Sequence, residues 1–93
     1  MTDPDPDAAA RLIYREGLPS VEHTAAKWVE ARGILYVGVW WRESCPAWVK
    51  PRLLVHLQGV LEAWEGRQGV DVAVVEARRP WPTNAGKQVR TKR

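Results

Sequence analysis

The chain has 93 residues, of which 45% are apolar, which is enough for one small domain with a modest core. Its net charge of +3 at pH 7 is uneven, because six basic residues lie from Arg78 onward and no acidic residue follows Glu76. The lone Cys45 excludes an internal disulfide, and with two distant histidines, His23 and His56, no metal site is predicted.

The ends of the chain differ in composition from its middle. Aspartate alternates with proline from Asp3 to Asp7, which predicts a disordered leader over residues 1–7. A compact domain is predicted over residues 8–79, followed by a Pro/Gly-Lys loop and basic tail over residues 80–93. We find no signal peptide and no apolar run long enough to span a bilayer, so we expect a cytoplasmic protein without membrane contact.

Two helices are predicted first. Asp7 can cap a helix over residues 8–16, and Gly17 would end it. Ser20 can cap a second helix that Gly33 would end. Its apolar residues fall on one face at helical spacing: Val21, Ala25, Trp28 and Val29.

The best strand in the sequence covers residues 34–41. It is apolar on both faces and rich in β-branched and aromatic residues, which is typical of a central strand. Gly38 within it indicates a bulge or the close approach of another group.

A third helix and a second strand complete the pattern. Leucines recur at three and four residues between Pro51 and Gly66, and residues 70–77 form a valine-rich strand. The predicted fold is a small single α/β (α+β) domain of order α-α-β-α-β, with a parallel strand pair and a crossover helix. Because a two-stranded sheet is thin, a further strand is expected from residues 40–42 paired with 46–50, or from a second molecule in a homo-oligomer.

The valine-rich strand leads into Pro82-Thr83-x-x-Gly86-Lys87-x-x-Arg90. This motif resembles the closing motif of the C-terminal domain of adenylate-forming enzymes, which include acyl-CoA synthetases, fatty-acyl-AMP ligases and peptide adenylation domains. Three upstream segments also resemble the fatty-acyl-AMP ligase branch: residues 19–24, which there enter a helix, the Glu-ended strand 35–43, and the Gly-Val-x-Val segment 69–72.

The resemblance implies a role for each loop residue. Lys87 would meet the substrate carboxylate and the ATP α-phosphate, while Gly86 would let the backbone approach the ligand. Thr83 and Arg90 would hold the loop. The large nucleotide-binding domain of that family is missing from this sequence, and the strand that usually lies between its first helix and the Glu-ended strand is expected to be deleted here. We therefore expect a chain without catalysis or cofactor of its own, which docks on a larger protein and meets ATP or AMP only when that protein completes the site.

Two other functions remain open. Residues 24–34 resemble the recognition helix of small phage excisionases, in which Lys27 and Arg32 would contact phosphate. Nucleic acid would then also meet the basic tail, whose candidate residues are Arg78, Arg79, Lys92 and Arg93.

The other function is protein interaction through tryptophan. The chain has six tryptophans, more than a core of this size hides easily. The partner-binding candidates are Trp40, Trp41 and Trp81, and the adjacent pair must point to opposite faces of its strand. Cys45 is expected to be a plain exposed thiol.

Overall fold

The structure is a computed structural model that describes residues 3–78. Its helices and strands are α1 (Pro6–Gly17), β1 (Val21–Val29), β2 (Ile34–Trp41), α2 (Val49–Ala63) and β3 (Asp71–Glu76), with a 3₁₀ turn at Glu65–Arg67. The three strands form one sheet in the order β1-β2-β3. β1 and β2 are antiparallel, whereas β2 and β3 are parallel and joined by α2. The predicted α/β class, the parallel pair and its crossover helix are confirmed.

Helix α1 begins earlier than the sequence indicated. Asp5, not Asp7, is its N-cap, and the Asp5 carboxylate accepts hydrogen bonds from the backbone N–H groups of Asp7 and Ala8 at 3.0 and 3.3 Å. Pro6 lies in the first turn, where its missing N–H has no cost. The helix thus takes up residues 6 and 7, which composition alone assigned to the leader. Ala9, Ile13 and Gly17 recur at intervals of four and form its buried face.

The second predicted helix is wrong, because residues 21–29 form strand β1. This strand pairs with β2 from Val21 opposite Trp41 to Val29 opposite Ile34, with one register shift between Val21 and His23. Gly33 does not end a helix. It closes the hairpin turn at φ 67°, and its N–H donates to the carbonyl of Val29 at 2.9 Å. The apolar strand β2 needs a hydrogen-bonded neighbour on each side, and this tertiary demand overrides the helical spacing of the segment.

The third strand of the sheet therefore comes from β1. It does not come from residues 46–50, where Val49 and Lys50 already belong to α2, and the sheet needs no second molecule for it. The register of β1 and β2 continues without a shift across Gly38, so this glycine does not mark a bulge.

Both helices pack on the same face of the sheet. Their buried residues form one core with the alternate residues of the strands: Ala9, Ile13, Val21, Ala26, Leu35, Val37, Val39, Leu57 and Leu61. The hydroxyl of Thr24 on β1 donates to the carbonyl of Ala10 at 2.7 Å and ties α1 to the strand below it. Three tryptophans, Trp28, Trp41 and Trp64, pack against this core.

The outer edge of β3 is closed by a side chain. The amide of Gln58, on α2, donates to the carbonyl of Val72 at 3.0 Å and accepts from the N–H of Val74 at 2.7 Å. One residue of a neighbouring parallel strand would bond the same two groups. Gln58 therefore stands in for part of a fourth strand.

Two expectations about environment have different outcomes. Cys45 is buried, with 8% of its surface exposed, because the turn after β2 folds it inward; the prediction of an exposed thiol is wrong. Within residues 3–78, neither helix has the length and apolar character needed to cross a bilayer.

Candidate functional site

Three of the candidate residues meet where the parallel strands end. Trp40 and Trp41 are the last residues of β2, and Arg78 lies just beyond the end of β3. Together with Glu76 they are called here the carboxyl-end cluster. The cluster lines a shallow pocket of about 440 Å³, which Glu22, Lys50 and Ala77 complete. The parallel register and the crossover helix bring these residues together from four separate segments.

A hydrogen bond joins the two strands of the cluster. The indole N–H of Trp41 donates to the carboxylate of Glu76 at 2.6 Å. The other carboxylate oxygen of Glu76 lies 3.8 Å from the guanidinium of Arg78. Since the Arg78 side chain is 87% exposed, this ion pair is screened by water and contributes little to stability. Glu76 thus orients Trp41, while Arg78 stays available to an anion or a partner.

The other tryptophan of the cluster lies on the opposite face of β2. Trp40 packs against the ring of His23 on β1, with ring centroids 5.0 Å apart and planes tilted by 45°. The adjacent pair therefore behaves as the sequence predicts, with Trp41 packed against the core and Trp40 turned away from it.

The pocket combines aromatic surface with charges of both signs. Its charged residues are balanced, since Glu22 and Glu76 face Lys50 and Arg78. Among residues 3–78 no group of three or more His, Cys, Asp or Glu side chains could hold a metal ion. Half-buried aromatic surface beside charges of both signs is typical of a protein contact.

The remaining predicted site residues lie outside the described part of the chain. These are the loop residues Thr83, Gly86, Lys87 and Arg90, the tryptophan Trp81, and the basic residues Arg79, Lys92 and Arg93. What the structure does place is the point from which that segment leaves. It follows directly on Arg78, at the carboxyl-end cluster.

The recognition helix of the excisionase interpretation is absent, because its residues form β1 and the hairpin turn. Lys27 lies on β1 opposite Tyr36, and Arg32 lies in the turn. Of the residues proposed to contact nucleic acid, only the basic residues from Arg78 onward remain candidates.

No protein-family model, no curated protein and no solved structure matches the chain.

Sequence reasoning missed two features of the surface. Trp48, at the start of α2, is 68% exposed, with the guanidinium of Arg52 6.0 Å from its ring centroid. The sequence could have indicated this contact, because Trp48 precedes Arg52 by one helical turn. A larger pocket of about 710 Å³ lies between α1 and β1, lined by Arg11, Tyr14 and Arg15 among others. It contains none of the predicted site residues.

Proposed function

We propose that this chain acts like the mobile C-terminal domain of an adenylate-forming ligase, docking on a larger protein and presenting Lys87 to that protein's active site. The larger protein would supply the nucleotide and the acid, and Lys87 the positive charge where charge develops on the phosphoryl oxygens. The chain is not a catalyst by itself.

The order of elements supports this proposal. The resemblance requires a helix, a strand, a second strand ending in glutamate, a helix and a valine-rich strand before the loop. The chain has α1, β1, β2 with Glu43 just beyond it, α2 and β3 in that order. The sequence predicts that the strand between the first helix and the Glu-ended strand is deleted; in this proposal β1 would correspond to it.

The observation that carries the proposal is the attachment of the loop to β3. All six residues of β3 pair with β2, and the N–H of Ala77 donates to the carbonyl of Val39 at 2.9 Å. Pro82 of the motif follows Ala77 by five residues. The base of the loop is therefore fixed to the centre of the sheet, as positioning a lysine requires.

One part of the resemblance loses its support. In the family that the chain resembles, the segment like residues 19–24 enters a helix, but here residues from Val21 onward belong to β1. The first helix of the comparison is then α1, which precedes this segment.

The carboxyl-end cluster is the docking surface in this proposal. It places two aromatic side chains and Arg78 next to the point where the loop begins. A partner that covers this cluster would hold the loop at its own surface.

Reconstitution tests the proposal. A fatty-acyl-AMP ligase truncated before its C-terminal domain is mixed with the full chain, ATP and a fatty acid, and adenylate formation is followed by pyrophosphate release. We expect the chain to raise the rate and Lys87→Ala to abolish the gain without weakening the complex. Lys27→Ala, a lysine on β1, serves as the matched control. A rate that the chain leaves unchanged in a formed complex would contradict the assigned role of Lys87.

Binding is measured separately by titration calorimetry. Replacing Trp40 and Trp41 together by alanine is expected to weaken the complex by about tenfold or more, which corresponds to about 1.4 kcal/mol. Gel shifts with DNA, repeated over a range of salt concentrations, test the rival function. A salt-dependent shift that disappears when Arg78, Arg79, Lys92 and Arg93 are replaced would favour nucleic acid as the partner.

A further inference from the structure

Helix α2 carries a stripe of exposed residues along the side that faces away from the core. Its members follow one another at alternating intervals of four and three residues: Trp48, Arg52, Val55, Gly59 and Glu62. This spacing keeps them on one side of a helix, opposite the buried Leu57 and Leu61. Trp48 is the N-cap of α2 and has helical backbone angles, so the stripe begins with it. These five residues are called here the outer stripe.

The outer stripe combines exposed apolar side chains with a gap. Residues 3–78 leave three large apolar side chains exposed, and two of them lie here, Trp48 at 68% and Val55 at 75%. Gly59 lies one turn after Val55, is exposed, and has no atom within 4 Å of the place where a Cβ atom would stand. A projecting side chain beside an empty position is a shape that a second, reversed copy of the same helix can complement.

The charges on the outer stripe oppose the dipole of their own helix. A helix favours acidic residues in its first turn and basic residues in its last, and α1 has both, with Asp7 and Arg15. Helix α2 has neither. It has Arg52 in its first turn and Glu62 in its last, and these two are about 15 Å apart along the axis, too far to pair within one helix.

A second α2 that runs antiparallel to the first removes this conflict. If Val55 of each copy packs into the gap at Gly59 of the other, the two-fold axis passes at the level of residue 57. Arg52 of each copy then lies level with Glu62 of the other, because the two pairs have the same midpoint. Each Glu62 carboxylate also comes close to the N-terminus of the other helix, where its charge is favourable. A parallel pair would bring like charges together instead.

We propose that the protein forms a two-fold dimer through the outer stripes of two antiparallel α2 helices. Trp48, whose ring centroid lies 6.0 Å from the guanidinium of Arg52, shields the pair that Arg52 makes with Glu62 of the second copy. A helix of 15 residues is only about 22 Å long, so the contact is at the low end of interface sizes and the dimer is weak. Lys50 of the carboxyl-end cluster lies about 200° round the helix from Trp48, so the dimer leaves that cluster accessible, and it does not depend on the proposed function.

Sedimentation velocity of the full chain tests the proposal, over about 10 µM to about 1 mM protein. The wild-type chain is expected to pass from monomer to dimer over this range, and salt at about 1 M should weaken the dimer. Arg52→Glu and Glu62→Arg each place two pairs of like charges across the two-fold axis, so each should lower the association constant about tenfold. An equal mixture of the two variants restores both pairs of opposite charge. It should therefore associate about as strongly as the wild type.

Misfolding would not account for a loss of association in these variants. Both side chains are exposed, and each substitution gives α2 a charge that its dipole favours, so denaturation in dilute solution should find neither variant much less stable than the wild type. The matched controls are Arg32→Glu and Glu30→Arg, which make the same charge changes in the hairpin turn and should leave association unchanged, alone or mixed. Gly59→Gln fills the gap and should weaken the dimer about tenfold while the helical circular dichroism is retained.

Three results would overturn the proposal. One is a wild-type chain that sediments as a monomer up to the highest concentration. Another is a dimer that persists unchanged in both charge variants, which would place the contact on another surface. The third is a mixture of the two variants that stays as weakly associated as each variant alone. No ligase is present in these measurements, so their outcome and that of the reconstitution experiment are separate.

Discussion

The indole N–H of Trp41 donates to the carboxylate of Glu76 at 2.6 Å and so joins the ends of the two parallel strands. Both partners of the bond belong to the carboxyl-end cluster, and they come from neighbouring strands and not from one loop. It keeps the Trp41 ring in one orientation beside the start of the C-terminal segment.

Glu76→Ala removes the acceptor of this bond. Because the Glu76 side chain is 34% exposed, water replaces it and the loss of stability should stay below about 1 kcal/mol. The indole N–H signal of Trp41 should shift and exchange faster with solvent. Glu76→Gln keeps an acceptor oxygen, so the indole N–H signal of Trp41 should stay close to its wild-type position. An unchanged indole signal in the alanine variant would count against the bond.

Replacing glycine by alanine is expected to have opposite effects on stability at Gly17 and at Gly59. A methyl group at Gly17 would press against the Cγ2 atom of Val21 and lie 3.1 Å from its Cβ atom. Val21 is fully buried and cannot yield, so Gly17→Ala should cost about 1–3 kcal/mol. Nothing lies within 4 Å of a methyl group at Gly59, in the middle of α2, and Gly59→Ala should stabilise the protein by up to about 1 kcal/mol. Urea unfolding of both variants gives the two signs directly, and equal effects would contradict the packing around Gly17.

Gln58 offers a graded test of the closed strand edge. Gln58→Leu retains bulk but loses both hydrogen bonds to β3, which should cost about 1–3 kcal/mol. The backbone N–H of Val74 should then exchange with solvent much faster. Gln58→Glu keeps the acceptor for Val74 but sets a carboxylate oxygen against the carbonyl of Val72 and the carboxylate of Glu62, so it should also destabilise the protein while the N–H of Val74 stays protected. Wild-type protection of Val74 in the leucine variant would show that the side chain does not close the edge.

The hydroxyl of Thr24 is the polar tie between β1 and α1. Thr24→Val preserves the shape of the side chain but leaves the carbonyl of Ala10 without this donor, at a cost of about 1 kcal/mol. Thr24→Ser keeps the hydroxyl and should lose less. Chemical denaturation measures both, and a serine variant less stable than the valine variant would mean that packing dominates at this position.

Much of the fold follows from local sequence pattern. β2, α2 and β3 are recognisable because their apolar spacing, their glycine boundaries and their residue types agree. β1 is not recognisable for a specific reason. Its register shift at Glu22 breaks the two-residue alternation, and its apolar residues happen to fit a helical period. In the strand these residues divide between the two faces, with Val21 and Trp28 against the core and Ala25 and Val29 on the opposite face.

The candidate site is only partly predictable. Trp40 and Trp41 are found because neighbours on a strand must face apart. Glu76, Lys50 and Glu22 are not found, since their proximity depends on the parallel register and on the path of α2 across the sheet. No spacing along the chain contains that information. At Gly38 the sequence predicts a bulge or the close approach of another group, and the continuous register excludes the bulge.

The amide of Gln58 also restricts how copies of this protein can associate. A strand added at the β3 edge would have to displace the Gln58 side chain. This side chain already bonds the backbone groups of Val72 and Val74 that the added strand would use. Growth of the sheet into a ribbon of many chains is therefore disfavoured from that side. Any sheet-to-sheet aggregation would have to begin at β1, whose outer edge carries charged residues such as Glu22 and Lys27 that oppose it.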